Sequence, residues 1–265
     1  MKNLIKNNKI LYLVENCHDC YGRIMRGKAL KDLYSITVFS PKKLSGNKLK
    51  LFPNIDENIN MNSFDLIIHD MKIQKEYWNE KSMLLIENNK CVVSHGINTV
   101  ILPYPEGFSE NFKDIKKEKI FIGLISRPVK EEELQKVKEK YYSEKPIILV
   151  TGSCGYFQTG DFLLEYALKN YDSKKYQIVF VYGEYYREKD RHKDVTYVEF
   201  EKNLHALISI SSAVVCNGGY NTLAECAMAG VETICFPRKN SLENYTVDIF
   251  TKYFGFIKMI KGCAM

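Results

Sequence analysis

The sequence lacks a long apolar run, and its N-terminal segment lacks the uninterrupted apolar core of a signal peptide. No run approaches the roughly 20 apolar residues that a membrane-spanning helix needs. Near the start of the chain, Asn8, Lys9 and Glu15 interrupt the apolar residues. We therefore expect a cytoplasmic protein. A content of 45% hydrophobic and 26% charged residues over 265 positions is typical of soluble globular proteins with one large domain or two modest ones.

The sequence also lacks the paired Cys and His motifs of a zinc-binding module. Cys17-His18-Asp19-Cys20 has CxxC spacing, but no second CxxC or His pair lies at zinc-finger spacing. We therefore predict no metal site. The eight cysteines are expected to be mostly reduced, since no signal peptide is recognisable. Three of them lie among apolar residues and are predicted to be small core side chains: Cys216, Cys226 and Cys235.

A basic nucleic-acid-binding module is missing as well. The formal net charge is +6, but the lysines are scattered and do not cluster with aromatic residues. We expect no nucleic-acid partner. Weak attraction to an acidic substrate, or peripheral contact with an anionic membrane surface, stays open.

The predicted elements alternate between strand and helix, which indicates an α/β fold with parallel sheets. In the first half, a helix is predicted over 21–33 and strands over 9–15, 35–39, 64–69, 83–87 and 99–102. In the second half, strands are predicted over 147–150, 177–181, 196–198, 213–216 and 233–236, with helices between most of them. A domain boundary near residue 125 gives domains of 1–125 and 126–265.

The most informative segment runs from Val215 to Asn244. Gly218 and Gly219 follow a buried strand and allow a sharp turn. Asn221 or Thr222 is then expected to cap a helix over 223–229, whose N-terminus favours a phosphate. Gly230 ends this helix, and the strand over 233–236 leads to further polar residues at the same edge of the sheet: Pro237, Arg238, Glu243 and Asn244.

A second glycine-rich turn, Thr151 to Gly155, follows the strand over 147–150. It matches neither a Walker A loop nor a GxGxxG fingerprint. Both turns should leave the carboxyl edge of one sheet, where open α/β sheets bind ligands, and together they indicate a nucleoside diphosphate. Glu225, one helical turn past Asn221, either accepts hydrogen bonds from ribose hydroxyls or is a charge on the helix surface.

A third candidate site is the first junction between strand and helix. Gly22 permits a tight turn, and Arg23 and Arg26 are placed to hold an anion or an acceptor. His18 and Asp19 have general-base potential. Alternatively, these are solvated loop residues.

The string NGGYNTLAECAMAGVETICFPRKNSLENY resembles the donor-site signature of GT-B glycosyltransferases of the MurG-like kind, which carry a family 28 C-terminal domain. It is most similar to bacterial predicted glycosyltransferases with GGYNT, then Glu, then PR. ILVTGSCGYFQTGDFLLEYAL, FIGLISRP and YGRIMRGKAL resemble further motifs of this group. The resemblance covers about residues 120–260 well, and the N-terminal half only through its first motif and its layout.

The resemblance implies two Rossmann-like domains that face a cleft, with a short N-terminal acceptor-side domain and a C-terminal domain that binds a sugar nucleotide, usually a UDP-sugar. No cofactor or metal is implied, since helix dipoles and side chains stabilise the departing diphosphate. By position, the implied contacts are Gly152, Ser153, Gly218, Gly219, Asn221 and Thr222 to the diphosphate, Glu225 to the ribose, Glu199 and Phe200 to the base, and Arg238, Glu243 and Asn244 to the donor sugar.

The sequence departs from the family pattern in three places. Arg23 occupies the position of the acceptor-side catalytic His, so His18 or Asp19 is the substitute candidate for the base, with Gly22 and Arg26 also on the acceptor side. Asn244 replaces a Gln. The chain ends shortly after the last strand, without the extended C-terminal helices of related proteins.

The expected function is transfer of a sugar from a nucleoside-diphosphate donor to an unknown acceptor, which is a small molecule, a lipid or a glycan. Two alternatives stay open. The same fold can hydrolyse or epimerise a nucleotide sugar, or serve as a non-catalytic or partner-dependent subunit that binds one.

Overall fold

The computed structural model describes residues 8–14, 22–40, 59–72, 75–88, 90, 96–152, 157–183, 191–239 and 241–260. The chain divides into two compact units, Met1–Pro128 and Val129–Met265. Each unit contains a six-stranded parallel sheet, which confirms the predicted α/β class. Within the described ranges, no helix is long and apolar enough to cross a bilayer.

The N-terminal unit contains one α-helix and six strands among its described residues. The elements are β1 (Ile10–Leu13), α1 (Gly22–Tyr34), β2 (Thr37–Phe39), β3 (Leu66–Asp70), β4 (Ser82–Leu85), β5 (Thr99–Leu102) and β6 (Glu118–Phe121). Short 3₁₀ turns lie at Met61–Ser63, Lys75–Tyr77 and Glu106–Phe112. Every residue of β1, β3 and β5 is buried, as expected for strands of a parallel sheet that is covered on both faces.

The strand order of the N-terminal sheet is β2-β1-β3-β4-β5-β6. The chain moves from β1 to β2 on one side and continues with β3 on the other side, so the order reverses between β1 and β3. Ligands of open α/β sheets bind at such a reversal, outside the carboxyl ends of the strands. The β1–β3 junction is therefore the expected ligand-binding edge of this unit.

The C-terminal unit alternates more regularly between helix and strand. Its elements are α2 (Glu131–Lys140), β7 (Ile147–Thr151), α3 (Phe157–Asn170), β8 (Gln177–Val181), β9 (Val195–Val198), α4 (Leu204–Ile210), β10 (Ser211–Cys216), α5 (Tyr220–Ala229), β11 (Glu232–Cys235), α6 (Glu243–Tyr253) and β12 (Ile257–Met259). A core of β7, β8, β10 and α3 side chains includes Val150, Leu163, Phe180 and Val215.

The strand order of the C-terminal sheet is β12-β11-β10-β7-β8-β9. The chain adds β8 and β9 on one side of β7, and then adds β10, β11 and β12 on the other. The reversal in this sheet therefore lies between β7 and β10, and it marks the expected ligand-binding edge of the second unit.

The sequence analysis did not predict two strands, β6 and β12, and each is the outermost strand on one side of its sheet. β6 carries the charged sequence EKIF, and none of its residues is fully buried. β12 has three residues, of which only Ile257 is buried. Edge strands are partly solvated, so they lack the continuous apolar pattern that identifies a central strand.

Candidate functional site

The segments predicted to form glycine turns in the C-terminal unit begin side by side at the edge of the sheet. Thr151, the last residue of β7, lies opposite Cys216, the last residue of β10. Neighbouring strands are about 5 Å apart, so the turns that begin at Gly152 and Asn217 emerge as neighbours. They emerge at the reversal between β7 and β10, where an open α/β sheet binds its ligand.

Gly218 and Gly219 have different structural reasons to be glycine. Gly218 has φ of 88°, and a Cβ atom added to it would lie 2.2 Å from Cγ2 of Val247 in α6. Only glycine fits this contact. Gly219 has φ of −63° and ψ of 143°, which any residue adopts, and an added Cβ would meet no atom of the described residues within 4 Å. The part of the chain that the structure describes therefore leaves space at the Gly219 Cα.

Helix α5 begins at Tyr220, earlier than predicted. Its N-cap is Gly219, which has no side chain with which to cap the helix. The prediction that Asn221 or Thr222 caps a helix over 223–229 is therefore wrong, since both residues lie inside the first turn. The N-terminal N–H groups and the dipole of this ten-residue helix favour an anion.

Helix α5 ends at a glycine and carries a buried carboxylate, that of Glu225. Gly230 follows the helix in the left-handed conformation, with φ of 68°, as expected for a helix that ends at glycine. Glu225 is only 8% exposed, which excludes the alternative that it is a helix-surface charge. Its contact with a ribose stays a prediction.

The loop after β11 is stabilised by an ion pair and by hydrogen bonds that a side-chain amide donates. The Arg238 guanidinium donates to both carboxylate oxygens of Glu243, at 2.8 and 3.0 Å. Asn244 Nδ2 donates to the carbonyl oxygens of Arg238 and Ser241, at 2.8 and 3.0 Å. The predicted sugar-binding residues thus form one interlinked loop at the carboxyl end of β11, and Glu243 stands in the first turn of α6.

The predicted base-binding residues directly follow β9. Glu199 is exposed and Phe200 is half-buried. Gly183 N donates to the Glu199 carbonyl, at 2.9 Å, which extends the pairing of β8 and β9 to this point. β9 lies two strands from β7, or about 10 Å, so these residues stand at the same edge as the glycine turns.

The three cysteines predicted to be core residues are free and buried, which confirms that prediction. Cys216 and Cys235 pair in register across β10 and β11, and their sulfurs are 3.9 Å apart. Burial raises the pKa of Cys226, and a hydrogen bond with Cys216 together with burial raises that of Cys235. Cys226 and Cys235 are therefore neutral thiols at neutral pH.

The structure describes only some of the residues that the sequence analysis predicted to face an acceptor. His18 and Asp19 lie outside the described residues, as does Ser153 of the C-terminal unit. Gly22 is the first residue of α1, and Arg23 is half-buried in its first turn.

Arg26 is buried inside the N-terminal unit, so the prediction that it faces an acceptor needs correction. Its Nη2 and Nε atoms bond to Asp70 at 2.7 and 3.2 Å, and Nη1 bonds to Glu87. Tyr12 OH donates to Asp70 at 2.7 Å. Burial alone would lower the pKa of Arg26, but the carboxylates of Asp70 and Glu87 outweigh it and raise that pKa. The guanidinium therefore stays charged and bound to protein carboxylates.

Sequence reasoning missed Tyr12, Asp70 and Glu87. Asp70 ends β3, and Glu87 follows β4 by two residues, so both acidic residues stand at the carboxyl edge of the N-terminal sheet. Acidic residues directly after buried strands are the signal that could have indicated them. Among the residues that the structure describes, no group of three or more His, Cys, Asp or Glu is arranged to hold a metal ion.

Comparisons with known proteins agree with this architecture. Residues 147–247 match the family model described as glycosyltransferase family 28 C-terminal domain. This segment contains both glycine turns, α5 and the Arg238–Glu243 loop. No curated protein sequence shows significant similarity to the chain.

Solved structures show the same fold at low sequence identity. The spinosyn forosaminyltransferase SpnP superposes with a TM-score of 0.65 at 11% identity, over 97% of this chain and 87% of SpnP. UGT89C1 from Arabidopsis thaliana, in complex with quercetin, gives 0.61 at 9% identity, over 95% and 84%. HepE from Anabaena, in complex with UDP-glucose, gives 0.52 at 10% identity, over 86% and 80%. The chain has the GT-B fold of two Rossmann-like domains.

Proposed function

We propose that this chain is a glycosyltransferase that moves a sugar from a UDP-sugar to an acceptor bound by the N-terminal unit. One observation carries the proposal. Gly152 and Gly218 follow adjacent strands at the reversal of the C-terminal sheet, within the segment that matches the family 28 C-terminal domain. A sheet edge with neighbouring glycines and a helix N-terminus whose N-cap is glycine suits a diphosphate.

The proposed donor site extends outward from this edge. We assign the diphosphate to the backbone at Gly152, Gly219 and the first turn of α5, and the ribose to Glu225. The base is assigned to Glu199 and Phe200, because an aromatic ring can stack on it. The donor sugar is assigned to the Arg238–Glu243 loop. This order follows the sheet edge from β9 through β7 and β10 to β11.

Ligands of proteins with the same fold suggest which nucleotide to test first. HepE is in complex with UDP-glucose, and UGT89C1 is in complex with quercetin. At 9 and 10% identity these proteins support the fold alone. We take UDP as the nucleotide and leave the donor sugar and the acceptor class to experiment.

The proposed chemistry is displacement at the anomeric carbon. The acceptor hydroxyl gives its proton to a base and its oxygen forms a bond to C1, while the bond between C1 and the phosphate oxygen breaks and the electron pair leaves with UDP. N–H groups and the dipole of α5 stabilise the charge that develops on the diphosphate, a form of electrostatic catalysis that needs no bound metal. We also propose a cytoplasmic location, and peripheral contact with an anionic membrane if the acceptor is a lipid.

The test is UDP release from a panel of UDP-sugars, measured with and without small-molecule, lipid and glycan acceptors. Acceptor-dependent release with a glycosylated product supports the proposal. Release of UDP with free sugar, or of UMP with sugar 1-phosphate, and no gain from any acceptor, would instead indicate a hydrolase. Binding of UDP without turnover would indicate a subunit that needs a partner chain.

A further inference from the structure

The side-chain amide of Asn244 joins two successive turns of the loop after β11. The backbone N–H of Ser241 donates to the Arg238 carbonyl, and that of Asn244 donates to the Ser241 carbonyl, each at 3.2 Å. Asn244 Nδ2 donates to the same two carbonyl oxygens, at 2.8 and 3.0 Å. Because both partners are acceptors, the nitrogen of the amide and not its oxygen faces them. Both N–H groups of the amide are therefore used within the loop.

The orientation of the Glu243 carboxylate depends on the residues that this amide holds. Arg238 donates to both carboxylate oxygens, and Ser241 Oγ donates to Oε2 at 3.3 Å. Arg238 and Ser241 are also the two residues whose carbonyl oxygens Asn244 binds. The amide therefore fixes the backbone positions from which both donors reach Glu243. Loss of the amide is expected to change the geometry of this carboxylate.

The loop continues into a helix that packs against the proposed diphosphate-binding turn. Helix α6 begins at Glu243, and Val247 lies one helical turn later. A Cβ atom added to Gly218 would lie 2.2 Å from Cγ2 of Val247, so this helix is fixed against the segment between β10 and α5. The start of α6 is about 6 Å along the helix from Val247. It is therefore within reach of a sugar bonded to a diphosphate at that turn.

We propose that Asn244 positions the sugar-binding loop and does not itself bind the donor sugar. This inference rests on the proposed function, which assigns the sugar to the Arg238–Glu243 loop. Asn244 stands where the related enzymes carry Gln, and the resemblance implies a contact with the sugar at this position. In this chain, donation by the amide to a sugar hydroxyl would break one of its two bonds within the loop.

Glu243 keeps room for a sugar hydroxyl in this arrangement. A carboxylate offers about four acceptor positions, and the described donors are Nε and Nη2 of Arg238 and Oγ of Ser241. The Glu243 side chain is 16% exposed. Asn244 therefore acts on sugar affinity through the orientation of Glu243, which makes it a positioning residue.

The test measures affinities for UDP, UDP-glucose, UDP-galactose and UDP-N-acetylglucosamine by calorimetric titration. Asn244→Ala removes both side-chain bonds of the loop. We expect its affinity for each UDP-sugar that wild type binds to fall about tenfold, with the affinity for UDP unchanged. Asn244→Gln should behave in the same way, because the added methylene displaces the amide from the two carbonyl oxygens. Asn170→Ala is the matched control: it removes an amide bond to the Tyr166 carbonyl at the C-terminal end of α3 and should bind all four ligands as wild type does.

The double variant Arg238→Ala/Asn244→Ala tests whether the effect passes through the ion pair. Both single changes disturb the orientation of the same carboxylate. We therefore expect the double variant to bind a UDP-sugar about as weakly as the weaker of the two single variants. Losses that add in the double variant would show that Asn244 acts on the sugar independently of Arg238, and would overturn the inference.

The remaining outcomes also decide the question. Wild-type affinity of Asn244→Ala or Asn244→Gln for the UDP-sugars overturns the inference, and so does an equal loss of UDP and UDP-sugar affinity, which a purely structural role would give. Both results leave the proposed function standing. If Asn244→Ala does not fold, Asn244→Gln decides by the same criteria. A wild type that binds UDP but none of the three UDP-sugars overturns the inference, whereas a wild type that does not bind UDP contradicts the proposed function itself.

Discussion

Gly218, between β10 and α5, and Val247 of α6 approach so closely that a Cβ atom on Gly218 would lie 2.2 Å from Cγ2 of Val247. The turn proposed to hold the diphosphate is thereby held directly against the helix that carries Glu243. Neighbouring Gly219 has no such contact. The two glycines can therefore be separated by experiment into one that the fold needs and one that the ligand needs.

Gly218→Ala is expected to destabilise the protein by about 1–3 kcal/mol, because the methyl group overlaps Val247 and the backbone is left-handed. Gly219→Ala should stay within about 0.5 kcal/mol of wild type. Denaturant unfolding of both variants checks this. The double variant Gly218→Ala/Val247→Ala should be more stable than the sum of its single changes predicts, since the overlap is relieved. Simple additivity would contradict the packing explanation.

Arg238→Ala is expected to weaken binding of an intact UDP-sugar and to leave binding of UDP unchanged. The pair with Glu243 is partly exposed and should contribute no more than about 1 kcal/mol to stability. We therefore attribute the expected loss of UDP-sugar affinity to a change in the geometry of the loop. Competition binding with UDP and UDP-sugars measures the difference. Lys258→Ala, which breaks the exposed Lys258–Glu232 pair, is the control and should affect neither ligand. If Arg238→Ala loses affinity for UDP as much as for the UDP-sugar, the loop does not contact the sugar specifically.

His69 gives the N-terminal unit a specific dependence of stability on pH. Burial lowers its pKa to about 4, from about 6.5 in the unfolded chain. The unfolded state therefore binds more protons, so the stabilising contribution is complete above pH 6.5 and is lost as the pH falls toward 4. From pH 7 to pH 5 we expect a loss of about 2 kcal/mol. Trp78, the one tryptophan of the sequence, reports unfolding of this unit by fluorescence. In His69→Gln, the free energy of unfolding should depend less steeply on pH. An unchanged slope would contradict the assignment of this pH dependence to His69.

Chelation of divalent metal is expected to leave the UDP-releasing rate unchanged. The proposal assigns charge stabilisation on the diphosphate to helix α5 rather than to a metal ion. The rate is measured after dialysis against EDTA and again after Mg²⁺ or Mn²⁺ is added back. Loss of activity on dialysis with recovery on metal addition would show that helix α5 is not sufficient.

The central strands could be predicted because both of their faces are buried. Gln177–Val181 and Thr99–Leu102 have the predicted bounds, and each is apolar along most of its length. The start of α5 could not be predicted from local preference, which favours Asn221 or Thr222 as a cap. Tyr220 is buried and its ring lies 5.9 Å from that of Phe250 in α6, so packing draws it into the first turn.

The N-terminal half of the sequence was less informative, because the contacts of Arg26 join positions that are far apart in the sequence. Arg26 pairs with Asp70 and Glu87, which lie 44 and 61 positions away. Nothing in the local pattern around YGRIMRGKAL indicates a buried arginine, and charged residues are almost never fully buried unless paired. The glycine turns needed no such information, since both lie directly after strands that the sequence identifies.

The most direct test of the account is calorimetric titration of UDP into the wild-type protein, Gly219→Glu and Gly255→Glu. Gly219→Glu adds a negative side chain beside the proposed diphosphate-binding turn, where a Cβ meets no atom of the described residues within 4 Å. Gly255→Glu adds the same charge just before β12, at the amino ends of the strands of the same sheet. A Cβ there also meets no atom of the described residues within 4 Å. We predict that wild type and Gly255→Glu bind UDP equally and that Gly219→Glu binds at least about tenfold more weakly, a difference of about 1.4 kcal/mol. Absence of UDP binding by wild type at millimolar concentration, or equal binding by Gly219→Glu, would contradict the assignment of this edge as the donor site.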